Sequence, residues 1–386
     1  MKIDLNQQKS KITARRVVIF FLILLFLIGV GYIARFNRFF TSINTQKNIW
    51  ITKTPKEKTV FSFLVMGYGG AGHQGAFLTD TMMIARVDIK KKTVYIISIP
   101  RDIWVKVPTK SGDDFHSKIN SVYQMGLFPK NYRDIPKQYH GDQGAAELVK
   151  QVTATVVGFP IDYYVAIDFA GFTKAVDTLG GVEVYVDRAF TDPEYPINGK
   201  EKDVCEIEGD ELEEAFKLAT QEPQLAFPCR YETLRFDVGT TFMDGETALK
   251  YVRSRHAPED GGDFGRARRQ QRFMDAVKDK ILAVGFIPKI LPLLDDLEGN
   301  VRTDVPLEIA QKFLREADNT DDYEVGQVIL TTDNYLKESV SSDGQYILIP
   351  KVGIGSWGRL KRDLENMFEG ITPTVSPLPS HTKRNI

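Results

Sequence analysis

Residues Thr59 to Val87 read TVFSFLVMGYGGAGHQGAFLTDTMMIARV. Thr59 to Met66 is apolar and rich in β-formers, which predicts a buried strand running into a glycine turn, and Thr81 to Val87 predicts a second strand. Between them Gly67 to Gly72 satisfies G-x-G-x-x-G, and Asp88 lies about twenty residues on, where a dinucleotide fingerprint would want an acid. That fingerprint needs a helix packed on the sheet between the glycine turn and the next strand. Here the chain passes through HQGAFLTD and re-enters a strand almost at once, so the helix has no room. No lysine followed by Ser or Thr completes a Walker loop either. What remains is strand, polar turn, returning strand. Glycines in such a turn let backbone amides approach an anion. Asp80, directly before the second strand, is placed either to hold a divalent cation at the sheet edge or simply to form the turn. His73 is a further candidate ligand, with a plain surface turn residue as the alternative.

Working outward, Thr93 to Ile99 predicts another strand, Gly144 to Val157 a helix, and DYYVAIDF from Asp162 a strand. Phe172 to Leu179 reads as a helix closed by Gly180-Gly181, and Val182 to Val186 alternates as a strand does. This alternation argues an α/β domain: a central mixed sheet flanked by helices in three layers. Thr191 to Thr241 reads as an insertion with an acidic helix at Asp210 to Ala219. Further helices are expected at 244–250, 264–282, 287–294, 306–317 and 357–368, with a last strand at 346–350. No internal repeat is visible, so residues 59–370 are expected to form one domain. The tail, 371–386, is rich in Pro, Ser and Thr and is expected to be disordered.

Val17 to Ala34, VVIFFLILLFLIGVGYIA, carries no charge over eighteen residues, and Lys9, Lys11, Arg15 and Arg16 precede it. A run of that length crosses a bilayer as a helix, and the basic flank predicts a cytoplasmic N-terminus. A cleaved signal peptide is the alternative, but the run is long for one and no small-x-small site closes it. The expected order is therefore a cytoplasmic segment 1–16, a transmembrane signal anchor 17–34, a connector 35–58 and an extracellular domain. Cys205 and Cys229 fit that placement: an oxidising exterior permits a disulfide between them, and free thiols are the alternative.

Formal charge is −1, from 50 basic and 51 acidic side chains, so any electropositive site is local. Three clusters are candidates. SIPRDIWV places Arg101 and Asp102 at a proline where a strand ends. KINSVYQMG offers Lys118, Asn120 and Tyr123. YVRSRHAPEDGGDFGRARRQQRF, 251–273, carries six arginines. Arg253 and Arg255 are two apart and project to one side if extended. Asp263 is expected to cap the following helix. On that helix the apolar stripe through Phe273, Met274, Val277 and Ile281 continues backward through Gln270, Arg269 and Arg266, leaving Arg268 and Arg272 on the solvated flank. Inward charges need a partner or a bound anion. Arginine forks fit phosphate oxygens and stabilise a transferring phosphoryl group, whereas salt bridges to Asp102, Asp260 or Asp263 are the bland alternative. RNA or DNA is excluded as a partner by the anchor and by the lack of an aromatic stacking platform.

LTDTMM (78–83), SIPRD (98–102), KIN (118–120), DYYVAIDFAGF (162–172), VDTLGGVEV (176–184), MDGETALKYVRSRH (243–256) and GDFGRARRQ (262–270), in this order behind one apolar span, resemble the LytR–CpsA–Psr family over roughly residues 59 to 285. The resemblance implies a membrane-anchored α/β protein facing the cell wall. It would move a glycopolymer from an undecaprenyl-pyrophosphate-linked precursor to peptidoglycan with Mg²⁺, as a phosphotransferase at the cytoplasmic membrane. It implies that Arg101 and Lys118 contact the pyrophosphate, that Arg253 and Arg255 are the paired phosphate-binding arginines, and that Asp263, Arg266 and Gln270 form the D-x-x-R-x-x-x-Q set. Asp80 would serve the metal, and the prenyl chain would lie in an apolar channel between sheet and helices. Arg269, Asp102 and Tyr123 are expected beside the substrate, with Asp263 or Asp102 as candidate base. Two positions depart from the family pattern: Gly69 stands where its first loop has Asp, and Leu78 where it has Arg. Rival readings are a non-catalytic polyprenyl-pyrophosphate binder and a hydrolase of the same linkage.

Overall fold

Strand Val60–Tyr68 is an inner strand of a six-stranded mixed sheet in a computed structural model that describes residues 34–35, 37–45, 58–71, 75–283, 297–316 and 323–370. It pairs antiparallel with Thr79–Asp88, the returning strand expected after the glycine turn, and parallel with Tyr163–Asp168. Thr93–Ser98 adds antiparallel, Glu324–Ile329 closes one edge parallel to it, and Val301–Thr303 closes the other edge antiparallel to Tyr163–Asp168. The expected span 17–34 lies outside the described residues except for Ala34. So do segment 1–16, His73, the helix at 287–294, most of the connector 35–58 and the tail 371–386. No helix among the described residues is long and apolar enough to cross a membrane.

Strand alternation sends residues to opposite faces, and the two faces differ. On one, Leu64, Met66, Met82, Ile84 and Ile97 are fully buried against helices Val122–Leu127, Gly141–Val157 and Gly358–Glu369. On the other, Phe61 is buried with Val305 and Ile309 of the chain entering helix Leu307–Glu316, but Phe63, Val65, Ala85 and Ile96 keep partial exposure. The mixed sheet flanked by helices is thus as expected. Helix Val122–Leu127 lies so close to its neighbour that a Cβ on Gly126 would sit 2.4 Å from the Ala145 Cα. Backbone does not yield as a flexible side chain does, so Gly126→Ala is expected to cost about 1–3 kcal/mol in chemical denaturation.

Several elements had no sequence signal. Glu324–Ile329 contains a glycine, which weakens a strand pattern; a Cβ on Gly326 would meet the Tyr95 ring at 2.7 Å, so the close approach requires it. Ribbon Trp104–Lys106 with His116–Lys118 is only three residues deep. The insertion is also bounded differently from 191–241. It begins inside strand Phe190–Pro196, which pairs with Tyr231–Phe236, whereas Gly239–Met243 pairs with Val182–Val186 of the main body.

Cys205 and Cys229 are joined as a disulfide, their Cα atoms 5.5 Å apart. The link closes the tip around helix Gly209–Leu218, whose own core is small: Ala215, Ala226 and Phe227 with Val204, Ile207 and Leu212 around them. A cross-link over a loop of this size contributes roughly 3 kcal/mol. Reduction is expected to expose residues 199–230 to protease while the sheet domain keeps its thermal midpoint. Equal protease resistance before and after reduction would contradict this.

Candidate functional site

The strands Val60–Tyr68, Thr93–Ser98 and Tyr163–Asp168 end on one side of the sheet, where Thr79–Asp88 begins. The carboxyl end of parallel strands is where open α/β sheets place their sites. The register there contains an irregularity: Gly67 faces Thr81, but Tyr68 faces Thr79, so Asp80 is the extra residue of a bulge. Bulges re-aim side chains next to functional sites. Asp80 leaves the ladder and meets Arg101, whose Nη1 donates to its Oδ1 at 2.6 Å. Arg101 Nε lies 3.4 Å from Asp102 Oδ2, and Lys118 Nζ 2.7 Å from Asp102 Oδ1. Lys118, Asp102, Arg101 and Asp80 therefore form one chain of alternating charge. Asp102 is nearly inaccessible at 5% side-chain exposure, while Asp80 at 38%, Lys118 at 24% and Arg101 at 20% are reachable. Asp102 sits beneath two cations and pairs with both.

The glycine turn arrives at the same end. Gly70 has a left-handed φ of +85°, and a Cβ there would meet the Asp168 Cβ at 3.1 Å. Asp168 caps helix Phe169–Thr178 by accepting from the Gly171 amide and is itself held by the Asn300 Nδ2.

A second wall comes from helix Gly245–Arg253, capped by Asp244 accepting from Thr247 N at 2.8 Å. Arg253 is its last residue, so the chain is extended only from Ser254 onward and not across 253–255 as expected. The Arg253 guanidinium lies 4.0 Å over the Phe169 ring, and its Nη1 donates to Tyr195 Oη at 3.1 Å and to Asn198 Oδ1 at 3.4 Å. A guanidinium set over an aromatic face suits arginine better than lysine. Arg255, two residues on, is half-buried.

The turn between the two arginine runs is built by Asp192 and Arg269. Asp192 is wholly buried; its Oδ2 accepts from Ser254 Oγ at 2.6 Å and from the amides of Arg255 and His256 at 2.9 and 3.1 Å. Its Oδ1 accepts from Glu194 N at 3.1 Å. Burial pushes the carboxyl up, but these hydrogen bonds together outweigh it and hold the group below the ordinary carboxylate value.

Arg269, expected beside the substrate, is turned into the protein. At 2% exposure it donates to the backbone oxygens of Tyr251 (3.1 Å), Asp260 (2.6 Å) and Ser254, and to Asp260 Oδ2 at 3.1 Å. Buried donors demand such partners, so its fork is spent on the protein. Asp260 also pairs with Arg268, and Arg272 pairs with Asp187 at 3.1 Å, both arginines partly exposed as expected. Gln270, another expected ligand, is a strut at 8% exposure: its Nε2 donates to Thr81 Oγ1 at 2.8 Å and to Val252 O at 3.3 Å. It thereby ties the neighbour of Asp80 to the neighbour of Arg253. Tyr123, also expected beside the substrate, lies in the core. It is fully buried, its ring 6.4 Å from Tyr68 and 6.3 Å from Tyr164, and burial pushes its hydroxyl above the ordinary phenol value. Its place in an apolar helix face, with Val122 and Met125, drew it into the core. Arg266 is buried at 6%. Asp263 lies within the first turn of helix Gly262–Ala283 and not at its cap, and its side chain lies outside the described residues.

Among the described residues one group has three potential metal ligands close together, Asp203, Cys205 and Cys229, and its cysteines are oxidised. Asp80 offers one reachable carboxylate. Such a donor fits a hard cation that completes its shell with ligand phosphate oxygens and water.

The sequence profile of the LytR_cpsA_psr family matches residues 36–351. The polyisoprenyl-teichoic acid–peptidoglycan teichoic acid transferase TagU of Halalkalibacterium halodurans is 27% identical over 312 residues, covering 79% of this chain and 79% of that one. TagV of Bacillus subtilis, of the same printed description, is 27% identical over 76% of this chain and 64% of its own length. The crystal structure of B. subtilis TagV superposes with a TM-score of 0.53 at 21% identity, covering 82% of this chain and all of that one, which establishes the fold.

Proposed function

The chain belongs to the LytR–CpsA–Psr family, and from that premise we propose that it is a phosphotransferase moving an anionic glycopolymer from an undecaprenyl-pyrophosphate-linked precursor to peptidoglycan. The observation that carries this reading is the juxtaposition at one sheet end of two cationic walls, Arg101 with Lys118 and Arg253 with Arg255, beside a sheet face whose apolar side chains keep partial exposure. The walls fit a pyrophosphate. The sheet face, through Phe63, Val65, Ala85 and Ile96, fits an apolar chain. A peptidoglycan sugar hydroxyl attacks the sugar-linked phosphorus; the new O–P bond forms as the bond to the bridging oxygen breaks, and undecaprenyl phosphate leaves with that oxygen and its electron pair, the hydroxyl proton passing to the leaving phosphate or to solvent. Arginine forks compensate the charge that gathers on the non-bridging oxygens. We assign Mg²⁺ to Asp80 with substrate oxygens, where it would supply further charge neutralisation. The apolar run 17–34 supports an anchor in the cytoplasmic membrane that leaves the catalytic domain outside.

The test is to incubate the purified protein with lipid-linked polymer, with and without peptidoglycan. Polymer joined to peptidoglycan supports transfer. Release of polymer without attachment assigns hydrolysis instead, and tight binding with the linkage intact in Mg²⁺ assigns a non-catalytic binder.

A further inference from the structure

Three features of the insertion converge on the segment that carries the paired arginines. Tyr195 and Asn198 receive the Arg253 guanidinium. Phe190 lies under Arg269, 4.5 Å from ring centroid to guanidinium. Asp192, between them, is the only one of the three sites whose contacts go to the backbone of 255–256. A carboxylate with no solvent contact that accepts two consecutive amides and the preceding hydroxyl fixes the path of the chain through those residues. Arg269 grips the same segment from the helix side through Ser254 O and Tyr251 O. The strand bearing Asp192 is itself irregular, its pairing shifting between Asp192 and Tyr195, which frees the carboxylate from the ladder to turn inward.

We propose that Asp192 is a positioning residue for the reaction: it sets the direction in which Arg253 and Arg255 present their guanidinium groups to the substrate phosphates. The inference rests on the function proposed above. It makes the insertion part of the catalytic apparatus, not a decoration on it. Asp192 touches no substrate and acts through the Ser254 hydroxyl and the backbone amides of Arg255 and His256.

Asp192→Ala removes all of the contacts. Asp192→Asn keeps an oxygen in the Oδ2 position, where three of the four donors converge, and places an amide only against Glu194 N. With the full chain and lipid-linked polymer, the Ala variant is expected to lose about 10²-fold in kcat, the cost of a misplacement of about 1 Å. The Asn variant is expected to recover to within about tenfold of the parent, having lost one net hydrogen bond. Rates are taken per folded molecule, below the thermal transition of each variant. Amide exchange at Arg255 and His256 is followed in parallel, fast in Ala and slow in Asn. Parent-like kcat in the folded Ala variant overturns the proposal. So does equal loss in both variants with parent-like exchange at both amides. A parent chain that neither transfers nor hydrolyses overturns the proposed function instead. The exchange comparison still decides the positioning role in that event, and protection unchanged in Asp192→Ala defeats it.

Discussion

Arg253→Ala and Arg255→Ala are each expected to reduce transfer by about 10²–10³-fold, the scale of removing one preorganised donor from developing negative charge. The loss should fall mainly on kcat, because charge on the non-bridging oxygens grows toward the transition state and a cation that meets it there acts differentially. Arg253 shows the preorganisation most directly. Its guanidinium is seated over Phe169 and Nη1 is held by Tyr195 and Asn198, so the group is placed before the phosphate arrives. Arg253→Lys is not expected to rescue: an ammonium keeps the charge but has neither the plane that stacks nor the fork that grips two oxygens. The stacking contributes about 1–2 kcal/mol to the fold, so both alanine variants should remain folded by circular dichroism. Normal turnover in both would remove this wall from the site.

Arg269→Ala is expected to behave in the opposite way, losing stability first. Its guanidinium serves three backbone oxygens and the Asp260 carboxylate at 2% exposure, and breaking a buried pair by deleting one partner costs about 3–5 kcal/mol. Burial draws the guanidinium below its ordinary pKa, with the Asp260 charge and hydrogen bond opposing, yet it stays cationic at any pH at which the fold is assayed. Lysine offers no fork to span Tyr251, Ser254 and Asp260 at once, so Arg269→Lys should recover little. Arg268→Ala is the control: a one-third exposed partner of the same aspartate, expected to shift stability by about 1 kcal/mol or less. Urea denaturation of the three variants checks the order. An Arg269→Ala protein as stable as the parent but unable to bind substrate would return Arg269 to the ligand set.

The contrast between these two arginines marks where reading the sequence stops. Helical spacing put Arg266, Arg269 and Gln270 on the inward face of their helix, and all three are buried there. Spacing tells which way a side chain points, but not whether a carbonyl or a phosphate waits for it. Arg269 found Tyr251 O and Ser254 O; Gln270 found Thr81 and Val252. Tyr123 shows the same limit, since a phenol beside polar neighbours in sequence packs into a core when the helix face it occupies is the apolar one. Asp192 gave no signal at all. It sits in FTDPEYP, with no periodicity to direct it, and acquires its role only from three donors more than sixty residues away.

By itself the sequence determined the strand, glycine turn and returning strand, the exclusion of a dinucleotide fold, the mixed sheet and the residues that gather at its end. These follow from local pattern: apolar alternation, glycine, and the space needed for a helix. The tertiary structure decided which of the gathered charges face outward. Asp80 is reachable because a bulge displaces it, Arg101 and Lys118 are held by a buried Asp102, and Arg253 and Arg255 are aimed by an insertion that reads as decoration. Buried charges and amides must be satisfied by whichever partner the fold brings near, and that partner is fixed by long-range packing, not by the residues on either side.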